Sequence, residues 1–226
     1  MSAYSPCEAM SQLTEFRSDW KATFQKACDW FVYVRSKSPD DWTSSDWRRL
    51  VDLCSLSYIP ETETFHSLGL KLRREKCIPD KTTLVKIGNW KAYGRIKKLL
   101  KSKNRKNRTI KETSRKAFEM IHRDPSINES VRAIKCLQDG IKGLRIPMAS
   151  AILTMYDPMN FGVIDKRAWL TLFRKETNQI GYDQWKRYLS KITRLARLHQ
   201  MKCREIDAAL WFVGSVNARS RTLNST

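Results

Sequence analysis

Apolar residues recur along the chain every three or four positions, and over no useful length do they alternate with period two. That spacing predicts helices throughout and an all-α fold. Leu13, Phe16, Trp20, Phe24, Cys28 and Phe31 mark a first helix within Glu8–Val34, which Ser38-Pro39-Asp40 brings to an end. Thr43-Ser44-Ser45-Asp46 is a capping cluster ahead of a helix carrying Trp47, Leu50, Val51, Cys54 and Leu56. Ser57–Thr62 (SYIPET) reads as a loop, followed by a helix through Phe65, Leu68, Leu70 and Leu72 and a short one starting at Pro79-Asp80. Further helices are expected at Thr109–Ile121, at Glu129–Leu137 after the break at Asp124-Pro125, and at Tyr182–Leu198. A last one, Arg204–Val213, is stopped by Gly214, and the polar tail from Ser215 is expected to be mobile.

One stretch, Leu137–Phe173, carries more than helical spacing. Gly140 and Gly143 stand where the chain must turn sharply. Pro147 suits the first turn of a new helix, because the N–H it lacks would have no partner there. Met148, Ala149, Ala151, Ile152 and Met155 continue that helix until Asp157-Pro158 ends it. An apolar run, Phe161–Ile164, then leads to Asp165, which is placed to cap a helix over Lys166–Phe173.

Charge narrows the class of partner. The chain has 226 residues with 43 Lys and Arg against 23 Asp and Glu, a net +20, which points to a polyanion. Lys91–Arg108 holds nine basic residues and no acid, and reads as a phosphate-binding ridge that includes Arg95, Lys97 and Lys98. No apolar run is long enough to span a bilayer, and the N-terminus lacks a signal-peptide core. The sequence therefore suggests a soluble, intracellular protein, cytoplasmic or nucleoid-associated, monomeric and without a membrane partner. Cys7, Cys28, Cys54, Cys77, Cys136 and Cys203 form no C-x-x-C pair, and His66, His122 and His199 are scattered, so no metal is assigned to side chains.

The order of these pieces resembles the helix-hairpin-helix superfamily of DNA glycosylases, the group of endonuclease III and the 8-oxoguanine glycosylases. The resemblance runs from about Ser44 to Val213 and rests on pattern and spacing. Gly143-Leu144-Arg145 stands at the hairpin, Ala149 at the alanine of the following helix, and Val163-Ile164-Asp165 at the catalytic motif. A register using Gly140 and Gly143 as the hairpin glycines is a second alignment. The chain departs from the family in three places. Arg145 replaces the second hairpin glycine, Pro147 stands where bifunctional members carry a lysine, and the four-cysteine cluster of some members is missing.

The resemblance implies two helical subdomains. Residues 1–43 and 161–226 would form one, and 44–160 a six-helix barrel-like one with the hairpin at 137–156. It implies a DNA glycosylase that flips a base from double-stranded DNA, with Asp165 stabilising the cationic sugar. Without the hairpin lysine the enzyme is expected to be monofunctional and to leave an abasic site, with Lys142 and Lys166 the alternative amines for a lyase. Lys142, Gly143, Arg145, Lys166 and Arg167 are carried over as DNA contacts. Tyr58 or Ile59 is the candidate wedge, and Trp90, Tyr93 and Trp169 are candidates to stack on the flipped base. No iron–sulfur cluster is implied; a monovalent cation at the hairpin remains compatible. The substrate stays open between ordinary base damage in repair and a hypermodified phage cytosine, hydroxymethylated or glucosylated, in antiviral defence. The rival readings are a non-catalytic helix-hairpin-helix DNA-binding protein and an RNA-binding protein using the basic run.

Overall fold

The computed structural model describes residues 29–91 and 106–223, and all regular structure among them is helical. Residues 29–36 are helical, and a 3-10 turn follows at Pro39–Asp41. The helices after it are α1 (Ser44–Ser57), α2 (Ile59–Glu75), α3 (Lys81–Lys91), α4 (Asn107–Arg123) and α5 (Ile127–Gly140). They continue with α6 (Ile146–Tyr156), α7 (Lys166–Phe173), α8 (Tyr182–His199) and α9 (Cys203–Leu223).

Local chemistry accounts for several boundaries. Thr43 caps α1 in a reciprocal box: its hydroxyl accepts the Asp46 N–H at 3.1 Å, and the Asp46 carboxylate accepts the Thr43 N–H at 2.9 Å. Ser126 caps α5 through the N–H of Glu129, and Asp80 accepts the N–H of Thr83 at 2.6 Å ahead of α3. Gly143 has φ 85°, a left-handed conformation that suits glycine, so the turn of the hairpin falls there. Gly140 belongs to α5, where a Cβ would strike the Thr113 side chain of α4. Its lack of a side chain lets those two helices approach.

Two expectations are corrected. Ser57–Thr62 is not a loop: Tyr58 is a single-residue joint, and α2 begins at Ile59 with Pro60 in its first turn. A proline in the first turn starts a helix, because the N–H it lacks would have no partner there. Gly214 does not stop the last helix, which runs on to Leu223, and Ser215 is buried rather than in a mobile tail. A Cβ on Gly214 would lie 2.7 Å from the Arg167 carbonyl oxygen, so this glycine serves close packing of α9 on α7. The first predicted helix lies largely outside the described residues, as does most of the Lys91–Arg108 run with Tyr93, Arg95, Lys97 and Lys98, and so does the Ile59 side chain.

Two helices form the spine of the packing. Short α6 is apolar on all sides and lies against α2, α3 and α5. Its Ala149, Ala151, Ile152 and Leu153 are fully buried, and burial of Ile152 and Leu153 contributes about 1.5–3 kcal/mol each. Helix α9 lies against α1, α7 and α8. Contacts of α1 with α2, and of α5 with α8, join the two sets. Among the described residues no helix is long and apolar enough to cross a membrane.

Candidate functional site

The segment from Asp157 to Asp165 crosses between these two spines and is fastened to both. Arg204 N–H donates to the Pro158 carbonyl and Cys203 N–H to the Met159 carbonyl, each at 3.1 Å, which holds its first half to the start of α9. Phe161, Val163 and Ile164 are buried, and a Cβ on Gly162 would lie 2.9 Å from the Asp207 Cβ. The close pass beside α9 therefore excludes a side chain at position 162. Ser150 of α6 accepts the Ile164 N–H at 3.3 Å, so the helix after the hairpin fixes the residue next to Asp165.

Asp165 ends this segment and caps α7, as its place in the sequence predicts. Its Oδ1 accepts the N–H groups of Arg167 and Ala168, both at 2.9 Å. The other oxygen has a partner that sequence spacing did not reveal: Lys91 Nζ, at the C-terminal end of α3, lies 3.3 Å from Oδ2. The Lys91 side chain is 13% exposed and that of Asp165 21%, so the pair is screened far less than a surface salt bridge.

Behind the pair lies a buried polar network. The Asp207 carboxylate is 1% exposed, accepts the Tyr188 hydroxyl at 2.8 Å and pairs with the Arg204 guanidinium. Burial pushes the Asp207 pKa up, against the opposing pull of Arg204, the Val163 N–H, the Tyr188 hydroxyl and the nearby Lys91 charge. Burial also drives the Tyr188 phenol well above its usual range, reinforced by the negative charges of Asp207 and Asp165. Arg204 continues over the rings of Phe65 and Trp90, its guanidinium carbon 4.9 and 5.4 Å from the ring centroids. Trp90 is half-buried and held by a 2.8 Å hydrogen bond from its indole N–H to the Glu61 carbonyl.

The other candidates divide. At the hairpin Lys142, Gly143 and Arg145 are exposed, and the turn is braced by Gln138, which donates to the Leu144 carbonyl and accepts the Tyr182 hydroxyl. Lys166 and Arg167 are exposed beside Asp165, with Arg167 reaching Ser215 on α9. Trp90 adjoins Lys91. Trp169, by contrast, is buried and packs on Phe173 with ring centroids 4.2 Å apart, which makes it core. Tyr58 is half-buried, edge-on to Trp211 at 4.9 Å.

Sequence reasoning placed Lys91 only in the basic run, without its pairing to Asp165, and missed Asp207, Tyr188 and Arg204. The one hint was an aspartate inside the apolar run of the last helix, since a carboxylate at a core position needs partners. No group of three or more His, Cys, Asp or Glu that could hold a metal comes together among the described residues. Cys54, Cys77, Cys136 and Cys203 are free thiols there, and burial pushes Cys54 up to about 12 and Cys203 to about 11. Two open hollows lie along α8, one by Met159 and Arg197 and one by Asp124 and Arg194, and neither is lined by Asp165 or Lys91.

Together these groups form a fixed carboxylate paired with an amine, beside an aromatic shelf carrying a cation. Such a set can stabilise a developing positive charge and move a proton. Comparison of the chain with protein-family models, with curated proteins and with solved structures gives no significant match.

Proposed function

We propose that the protein is a DNA N-glycosylase in which Asp165 stabilises the positive charge that builds on deoxyribose as the base departs, water then completing the sugar to leave an abasic site. The observation that carries this reading is the setting of Asp165. It is immobilised by two amide donors and an amine at a helix mouth, next to the hairpin helix, in a chain of net charge +20. A carboxylate held this way needs no reorganisation as charge develops beside it. Exposed Lys142 and Arg145 at the hairpin and Lys166 and Arg167 at α7 are suited to grip phosphates on either side of the cleaved bond. In this reading residues 44–160 and those from 161 on belong to the two subdomains, with the carboxylate near their border, and α1 of the first packs across it on α9. The base removed is a damaged one or a hypermodified phage cytosine.

The test is incubation of the wild type and Asp165→Asn with duplexes carrying alkylated, oxidised, deaminated and glucosylated bases, including phage DNA, scored for released base and abasic sites. Release by the wild type alone supports the reading; equal release by the variant refutes Asp165 as the catalytic group. A second reading has one observation in its favour: the cap and the ion pair already give Asp165 a structural use. In that case the chain is a DNA-binding protein that releases no base from any duplex in the panel.

A further inference from the structure

We infer that Lys91 is a second reactive group of this site, an amine that condenses with the aldehyde carbon of an abasic sugar and gives the protein a strand-cleaving activity. The inference rests on the glycosylase reading for what reaches the site, and on geometry for the residue. Pro147 removes the amine from the hairpin helix, and on sequence alone Lys142 and Lys166 are the other amines near the motif. The structure brings an amine to the carboxylate from a different helix, α3, with Nζ 3.3 Å from Asp165 Oδ2. The cap hydrogen bonds occupy Oδ1, so Oδ2 is the oxygen that can exchange a proton with Lys91.

The lysine is held where such an amine has to be. Its side chain is 13% exposed and ion-paired, and it ends a helix packed on α6. Once the base has left, the ring-opened sugar presents an aldehyde at C1′. The Lys91 ammonium passes a proton to the Asp165 carboxylate, and the free amine adds to C1′. Asp165 returns the proton to the resulting hydroxyl, which departs as water and leaves a protonated imine between Nζ and C1′. Asp165, a carboxylate again, takes a proton from C2′. The C3′–O bond then breaks with its electron pair going to the 3′ phosphate, which takes the proton from Asp165, and water hydrolyses the protonated imine to an unsaturated aldehyde and the Lys91 ammonium. No oxidant, metal or further reactant is required.

The experiment uses a preformed abasic duplex, so it does not depend on knowing the base or on base release. The full-length protein is incubated with that DNA and sodium borohydride, which reduces an imine to a stable secondary amine. A covalent protein–DNA adduct is expected, and peptide mass mapping should locate it at Lys91. Lys91→Arg keeps the positive charge next to Asp165 but removes the nucleophile, and should lower adduct yield at least about tenfold at an unchanged melting temperature. No adduct with the wild type, an adduct at another lysine, or undiminished yield in a folded Lys91→Arg protein would each overturn the assignment. Failure of the glycosylase reading shows separately, as absence of released base from modified duplexes.

Discussion

Lys91 Nζ and Asp165 Oδ2 lie 3.3 Å apart although 74 residues separate them in the chain. The contact joins the C-terminal end of α3 to the N-terminal end of α7 and turns a helix cap into a charged pair. Helix capping and, on the glycosylase reading, charge stabilisation therefore fall to one side chain, and substitutions that separate them are the informative ones.

Asparagine at position 165 retains a capping oxygen, whereas alanine does not. Asp165→Asn is expected to fold normally and to lose about 10²–10³-fold in base release, the scale of removing one transition-state stabilising group. Asp165→Ala should show the same loss together with about 1 kcal/mol of destabilisation from the missing cap. Single-turnover kinetics and thermal melts of both variants check this.

Binding to duplex DNA should weaken steeply with salt. If six to ten phosphates are neutralised, affinity falls by about 10³–10⁵-fold between 50 and 200 mM salt. Lys142→Ala and Arg145→Ala, both on the exposed hairpin, should each lower the log–log slope by about one. Fluorescence anisotropy titrations at several salt concentrations measure it, and a flat salt response would remove the hairpin and its neighbours as phosphate contacts.

Gly214→Ala tests the packing of α9 on α7. The new methyl would meet the Arg167 carbonyl at 2.7 Å and the Thr171 hydroxyl at 2.8 Å. The expected cost is about 1–3 kcal/mol. Because Arg167 also donates an amide to Asp165, base release should fall with stability in this variant. A wild-type melting temperature would show that α7 can shift freely.

His199 makes stability depend on pH. Burial lowers its pKa from the usual 6.5, with Nδ1 2.9 Å from the Ser44 hydroxyl and Nε2 buried without a partner. A group whose pKa is depressed on folding contributes stability above its unfolded value of about 6.5, and that contribution is lost as pH falls through the lowered folded value. The melting temperature should drop below about pH 6.5, and His199→Gln should flatten that part of the profile. An unchanged profile in the variant would assign the drop to other groups.

The local features of this fold were legible in the sequence because they depend on neighbours in the chain. The Thr43–Asp46 box, the Asp165 cap and the bounds of α7 follow from residues three or four apart. Pro60 and Gly214 misled because each residue type has two uses. Proline starts helices as well as ending them, and glycine admits close packing as well as αL termini. The partners of Lys91, Asp207 and Arg204 were invisible for a different reason. Their pairing is tertiary, set by which helix ends meet across the core, and no periodicity along one segment encodes it. Trp169 shows the converse: a tryptophan near Asp165 in sequence turned inward, to Phe173.

The Lys91–Asp165 pair also bears on how a polyanion approaches. A lone carboxylate in the path of DNA would repel it at every distance. Joined to an ammonium, the same carboxylate is seen from afar as a dipole, whose potential decays faster than that of a charge, and Lys166 and Arg167 then dominate the view. The negative charge becomes effective only at contact range. On the glycosylase reading, DNA would be drawn to a cationic surface and would meet an anion only on contact.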